Sequence, residues 1–317
     1  MKKDKIGFYG LTHLGLIYSI VFAKKNIKTL AFSDNKNLIN KIKKNKINIS
    51  EPNLEKYIKS YKKKINYTNN FKDLSDCDLV FFSMDTPINK NKPDYKTIIK
   101  SLNKLIKILK NKKTELIILS QVYPGFTEQF NWDKSRLFYQ VETLIFGEAI
   151  NRAEYPERII IGYNQKKDFQ TSKLKNVLKN FTENIIGMDY KSAELTKIAI
   201  NLFLISNINT TNMISNACEE IGASWNSIIP ALKSDKRIGK YSYLQPSLSI
   251  GGTNLMRDLV TFKKFFPKEN KNNQLINVWH KNNSLQKKWI FKIIDNVIKQ
   301  RKINNILILG LAYKENT

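Results

Sequence analysis

Lys5-Ile6-Gly7-Phe8-Tyr9-Gly10-Leu11-Thr12-His13-Leu14-Gly15 begins with a short apolar run, turns between two glycines and continues into an apolar stretch that reaches Ala23. Residues 5–9 read as a buried strand, and the stretch from the second glycine to about Lys24 reads as a helix. A second strand, Ile27 to Ser33, ends at Asp34. In this order of elements the first helix aims its N-terminal amides and the positive end of its dipole at the turn, which favours an anion such as a phosphate. An acid about twenty residues further on, at the end of the second strand, accepts hydrogen bonds from a ribose hydroxyl. Gly10, Thr12, His13, Leu14, Gly15 and Asp34 are therefore the candidates for holding a dinucleotide. Thr12 departs from the pattern, because the middle glycine ordinarily lets the backbone approach a pyrophosphate and a side chain there crowds it. A tight strand-helix turn that binds nothing is the alternative.

Further along, Asp78-Leu-Val-Phe-Phe-Ser83 and Thr114-Glu-Leu-Ile-Ile-Leu-Ser120 are continuous apolar runs between polar residues, as expected of central strands covered on both faces. A helical stretch, Tyr95 to Lys110, lies between them, and strands at Arg136–Gln140 and Arg158–Gly162 complete the alternation. The expected fold is α/β: a Rossmann-like, doubly wound parallel sheet over residues 1–190. From Ala193 to Gly222 the pattern becomes one long helix, followed by helices near 225–234, 253–265 and 284–300. Residues 191–302 thus read as an all-α middle domain, and 303–317, with Ile306-Leu-Ile-Leu-Gly310, as the first strand of a third.

Composition narrows the function classes. The 317 residues are 42% hydrophobic and 11% aromatic, which is globular rather than disordered. The net charge of +27 comes from lysines spread along the whole chain in company with asparagine and isoleucine, so it reads as drift on solvated faces. An anionic small molecule is the next reading, and nucleic acid is not expected as a partner. Two cysteines, Cys77 and Cys218, make no disulfide framework and fit a reducing compartment. His13 and His280 stand apart from any ligand cluster, so no metal is expected. No run approaches the roughly 18 apolar residues of a membrane span, and a cytoplasmic protein is expected.

Several short motifs occur in a fixed order: Glu51-Pro52, Asp85-Thr86-Pro87, Ser120-Gln121-Val122-Tyr123-Pro124-Gly125, Glu142-Thr143-Leu144-Ile145-Phe146-Gly147-Glu148-Ala149, Asp235-Lys236-Arg237-Ile238-Gly239 and Tyr243-Leu244-Gln245-Pro246. They are followed by Ser249-Ile250-Gly251-Gly252-Thr253-Asn254-Leu255-Met256-Arg257-Asp258. This ordered set resembles the UDP-glucose/GDP-mannose dehydrogenase family over essentially the entire chain. In that family the last loop reads Gly-Gly-Ser-Cys before a helix ending Lys-Asp, and the cysteine is the nucleophile. Asn254 holds its place here, and Arg257 holds that of the lysine.

The resemblance implies NAD as cofactor, with Thr86, Pro87 and Gln121 beside the residues of the first turn. It implies a nucleotide-sugar substrate, contacted by Leu144, Tyr243, Gln245, Gly251 and Arg257, and by Arg237 reaching a neighbouring subunit's substrate phosphate. It also implies a homodimer through the long helix. Glu194, Lys197 and Asn201 are spaced to share one helical face, a pattern that is ordinarily solvated. By resemblance Lys197 and Asn201 hold a water and stabilise oxyanions, Asp258 assists proton removal from the sugar's 6-hydroxyl, and Glu142 activates the hydrolytic water. The covalent step needs a thiolate, and the Asn254 amide cannot attack a carbonyl. The expectation is an NAD-dependent nucleotide-sugar 6-dehydrogenase of the UDP-glucose type with an altered second oxidation. A redox-neutral enzyme, or a non-catalytic relative, is the alternative.

Overall fold

The computed structural model describes residues 4–47, 49–89, 92–109, 112–251, 254–301, 303 and 305–310. Gly252 and Thr253 of the quoted loop, and residues 311–317 of the expected terminal unit, lie outside the described residues. The chain divides into two compact units, with the boundary between Lys197 and Ile198.

The first unit runs β1 (Ile6–Tyr9), α1 (His13–Lys24), β2 (Thr29–Phe32), α2 (Lys36–Lys43), α3 (Leu54–Ser60), β3 (Ile65–Thr68) and β4 (Leu79–Phe82). A two-residue ladder, β5 (Ile88–Asn89) with β6 (Lys92–Pro93), leads into α4 (Tyr95–Leu109) and β7 (Glu115–Ile118). Then follow β8 (Leu137–Gln140), α5 (Ala149–Glu154), β9 (Ile159–Tyr163), α6 (Lys166–Gln170), α7 (Lys173–Leu178) and β10 (Ile185–Asp189). The sheet has eight strands in the order β10-β9-β8-β7-β4-β1-β2-β3. The strand order reverses between β1 and β4, which are neighbours in register Gly7↔Val80 and Phe8↔Phe81. Such a reversal opens a crevice beyond the carboxyl ends of the strands.

The sheet is mostly parallel, as expected of a doubly wound fold, and the exception is β9, which pairs antiparallel to β8 with Tyr139 opposite Gly162. The 141–158 connection carries only the six-residue α5 and brings the chain back at the end where β8 leaves. The edge strands β3 and β10 were not read from the sequence: β3 buries three of its four residues, and β10 is largely exposed.

All of α1 from Leu14 to Ala23 is buried, which is why its sequence is apolar all round rather than striped. Phe8 stacks on Phe81 at 5.2 Å and meets Phe22 of α1 edge-on at 5.2 Å, joining helix to sheet.

α8 (Tyr190–Ile221) is 32 residues long and passes through the unit boundary. The second unit continues with α9 (Trp225–Ser234), α10 (Asn254–Lys263) and α11 (Lys271–Arg301). The helix expected at 284–300 starts at Lys271, because Asn273, Ile276 and Asn283 give its polar first half a buried side. One small core holds Ile205, Ile250, Leu259 and Ile276, and another holds Cys218, Trp225 and Leu244. The segment 243–250 has no regular structure, so side chains satisfy its backbone. Thr211 Oγ1 donates to Tyr243 O at 2.8 Å, and Trp225 Nε1 donates to Leu244 O at 2.9 Å. Asn212 and Asn283 accept from the amides of Ser247 and Ile250 at 2.8 and 2.6 Å. Residues 305–310 of the expected terminal strand carry no strand pairing, and Ile306 to Leu309 are exposed.

Candidate active site

The turn after β1 is built by close approach. Gly10 has φ +101°, and a Cβ there would meet Met84 Cγ at 2.6 Å. At Gly15 a Cβ would lie 1.8 Å from Gly10 O, so α1 packs onto the turn only with glycine at this position. Ser83, at the end of β4, donates to Tyr9 O at 3.1 Å and Gly10 O at 3.0 Å. Thr12 is the N-cap of α1, yet its hydroxyl does not cap the helix. Instead Oγ1 donates to Ser83 O at 3.3 Å and accepts from Asp85 N at 3.1 Å, tying the turn after β1 to the one after β4. Leu14 is buried in the core.

His13 opens α1 with Nε2 2.8 Å from Glu51 Oε1 and its ring 4.3 Å from that of Phe146. The Glu51 carboxylate, buried before Pro52, also accepts from the amides of Gly147 (2.9 Å) and Ala149 (3.3 Å). The Glu-Pro pair, His13 and the Gly147-Glu148-Ala149 end of its motif, quoted apart in the sequence, meet at this anchor. Thr86 Oγ1 donates to Gln121 O at 2.6 Å, joining the loops after β4 and β7, and exposed Pro87 accepts from Asp94 N at 2.7 Å. Asp34 follows β2, accepts from Tyr9 Oη at 3.3 Å and lies 3.3 Å from Lys104 Nζ. The residues of this turn fit a pyrophosphate: a buried helix whose first turn has no side-chain cap, glycine where no Cβ fits, and a carboxylate beyond β2.

Also in the first unit, the Lys197 ammonium lies 3.6 Å from Glu142 Oε2, with side chains only 12% and 17% exposed. Glu142 Oε1 accepts from the amide of Leu144, which is half-buried against the core. Glu194, one turn earlier on α8, is fully buried and faces the loop after β7, accepting from Gly125 N (2.6 Å), Thr127 N (2.7 Å) and Thr127 Oγ1 (2.6 Å). Burial raises its pKa above the usual glutamate range despite these donors. Glu194 and Lys197 are therefore not on a solvated face, and nothing in the sequence pointed to the Glu194 partners.

In the second unit Asn201 Nδ2 donates to Asp258 Oδ2, and Arg257 Nε lies 3.4 Å from Asp258 Oδ1. Asn201 and Asp258 are 5% and 2% exposed, and the Arg257 side chain 9%. Asn254 is the exposed first residue of α10, one turn before Asp258. Gly251 and Gln245 are exposed, and Tyr243 is 43% exposed. Arg237 does not join the Asn201–Asp258 cluster: its exposed side chain forms a two-pronged pair with Asp235, Nε–Oδ1 3.0 Å and Nη2–Oδ2 2.6 Å. The cluster can stabilise an oxyanion and exchange a proton, and Asn254 places an amide at the start of the helix that carries Asp258.

Residues 4–182 match the NAD binding domain of the UDP-glucose/GDP-mannose dehydrogenase family, and residues 191–284 match that family's central domain. UDP-glucose 6-dehydrogenase TuaD of Bacillus subtilis is 25% identical over 327 residues, covering 99% of this chain and 70% of that protein. UDP-glucose 6-dehydrogenase of Rickettsia bellii is 26% identical over 329 residues, covering 98% and 74%. A UDP-glucose dehydrogenase structure from the archaeon Pyrobaculum islandicum has a TM-score of 0.80 at 20% identity, covering 95% of this chain and 72% of that one. That likeness concerns the fold.

Proposed function

The chain belongs to the UDP-glucose/GDP-mannose dehydrogenase family and carries its NAD-binding domain, and on that premise we propose an NAD-dependent nucleotide-sugar 6-dehydrogenase of the UDP-glucose type with an impaired second oxidation. Bound NAD supplies a hydride acceptor. The turn from Gly10 to Gly15 holds its pyrophosphate, and Asp34 its ribose. Lys197, kept against Glu142, supplies a fixed cation for an oxyanion. Asp258, held by Asn201, is the group that would take the proton of the substrate hydroxyl.

The observation that carries this reading is the pairing of Asn201 with Asp258 one turn after Asn254 on α10. The proton-handling residues are set in place while the position for covalent capture holds an amide. The amide also favours a second reading, a redox-neutral or non-catalytic nucleotide-sugar-binding relative. NADH formed per nucleotide sugar consumed separates these: one equivalent with aldehyde released supports the first. Turnover without NADH, or none at all, supports the second, and two equivalents refute the assignment to Asn254.

In the same reading the chain is a cytoplasmic homodimer that makes a precursor for polysaccharide synthesis. Phe203 and Ile221, 73% and 79% exposed on one side of α8, support association through that helix. Light scattering at the mass of a monomer would refute the dimer. Among the described residues no helix is long and apolar enough to cross a membrane.

A further inference from the structure

Asp34 is held from two sides. Tyr9 Oη donates to Oδ2 at 3.3 Å, and Lys104 Nζ of α4 lies 3.3 Å from Oδ1. The Lys104 ammonium also sits 4.4 Å from the centroid of the Phe71 ring. Tyr9 is buried against Phe32, Phe71 and Phe82, and burial, followed by the charge of Asp34, pushes its phenol up to about 12. It therefore remains a donor at neutral pH. Just beyond Asp34, Asn35 caps α2, which begins with Lys36.

A lone carboxylate here accepts ribose hydroxyls and repels a 2′-phosphate. In this chain an ammonium at ion-pair distance offsets that negative charge. A carboxylate has about four acceptor sites, so Tyr9 and Lys104 leave room for a diol. The Lys104 side chain is 53% exposed and has donors left over, so it can turn toward a phosphate.

We infer that Lys104 is the residue that sets specificity at the 2′ position of the adenosine ribose, and that it lets the chain accept the 2′-phosphorylated dinucleotide NADP alongside NAD. This rests on the reading that the dinucleotide ribose lies at Asp34.

The test is calorimetric titration of the full chain with NAD+ and NADP+, for the wild type and the Lys104→Met, Lys100→Met and Asp34→Ala variants, each checked by thermal unfolding. NADP+ is expected to bind the wild type within about tenfold of NAD+. Lys104→Met is expected to weaken NADP+ by roughly tenfold while changing NAD+ by less than about threefold. Lys100→Met, on the same helix, should leave the ratio unchanged and so exclude a net-charge effect. A wild-type preference for NAD+ above about a thousandfold, or equal losses for both dinucleotides in Lys104→Met, would overturn the inference. If Asp34→Ala leaves NAD+ binding unchanged, the ribose is not at Asp34 and the underlying reading falls with it. If Asp34→Ala weakens NAD+ but Lys104→Met leaves the ratio alone, only the present inference fails.

Discussion

Asn201 on α8 donates its Nδ2 hydrogen to Asp258 Oδ2 on α10, with both side chains buried in the second unit. A buried carboxylate is tolerated only where donors compensate for lost water. Asn201→Ala removes one and is expected to cost about 1–3 kcal/mol in urea denaturation. Asp258→Asn keeps the shape and an acceptor for Asn201 but removes the base. Sugar-dependent NADH formation should then fall by roughly a hundredfold or more, beyond anything the stability change explains. Unchanged turnover in Asp258→Asn would remove Asp258 from the proton step.

Gly15 has no room for a side chain. An added methyl would press on the backbone oxygen of Gly10, which Ser83 Oγ also holds. Gly15→Ala should cost at least about 2 kcal/mol and push α1 off the turn. NAD+ binding, followed by calorimetry below the melting temperature, is expected to be lost. A variant that melts normally and binds NAD+ as the wild type does would show that the turn is a packing element only.

Glu194 couples the loop after β7 to pH. Its folded pKa is raised by burial, so the folded state binds the proton more tightly than the unfolded chain. The associated stability is complete below the unfolded pKa and is lost as pH rises through the folded one. Glu194→Gln lacks this titration and also places an amide against the donors of Gly125 and Thr127. The wild-type advantage over Glu194→Gln should therefore be larger at acidic than at neutral pH. Urea midpoints that diverge in the opposite direction would refute the assignment.

These contacts show where sequence patterns stop being informative. The run from Lys5 to Gly15, the acid at Asp34 and the apolar strands announce themselves through local periodicity, and so does the α/β class. The reversal of β9 does not, because its pairing with β8 depends on the path of the 141–158 connection rather than on any residue type. The partners of Asp34 lie 25 and 70 positions away in sequence, and Glu194 lies 67 from Thr127, separations that no periodicity encodes. Asn212 and Asn283 read as two asparagines among many, yet each satisfies a backbone amide of the 243–250 segment. The lysine-rich composition gave no hint that Lys104 in particular lies beside Asp34.

Asn254 begins a ten-residue helix and is exposed, which is where a thiol would be both accessible and activated. The amides and dipole at a helix N-terminus favour thiolate, so Asn254→Cys should react rapidly with a maleimide at neutral pH. The native Cys77 and Cys218 are buried, and burial pushes the Cys77 thiol up to about 12, so mass spectrometry of the labelled protein should find the adduct at 254. With a nucleophile restored, the aldehyde can be captured and oxidised again, and the yield should rise from one NADH per sugar toward two. A variant that labels at 254 and binds NAD+ yet still forms a single NADH would shift the defect from Asn254 to Gln121 or Thr12. Thr12→Gly, which removes the hydroxyl bridge to Ser83 and Asp85, is then the next substitution to combine with it.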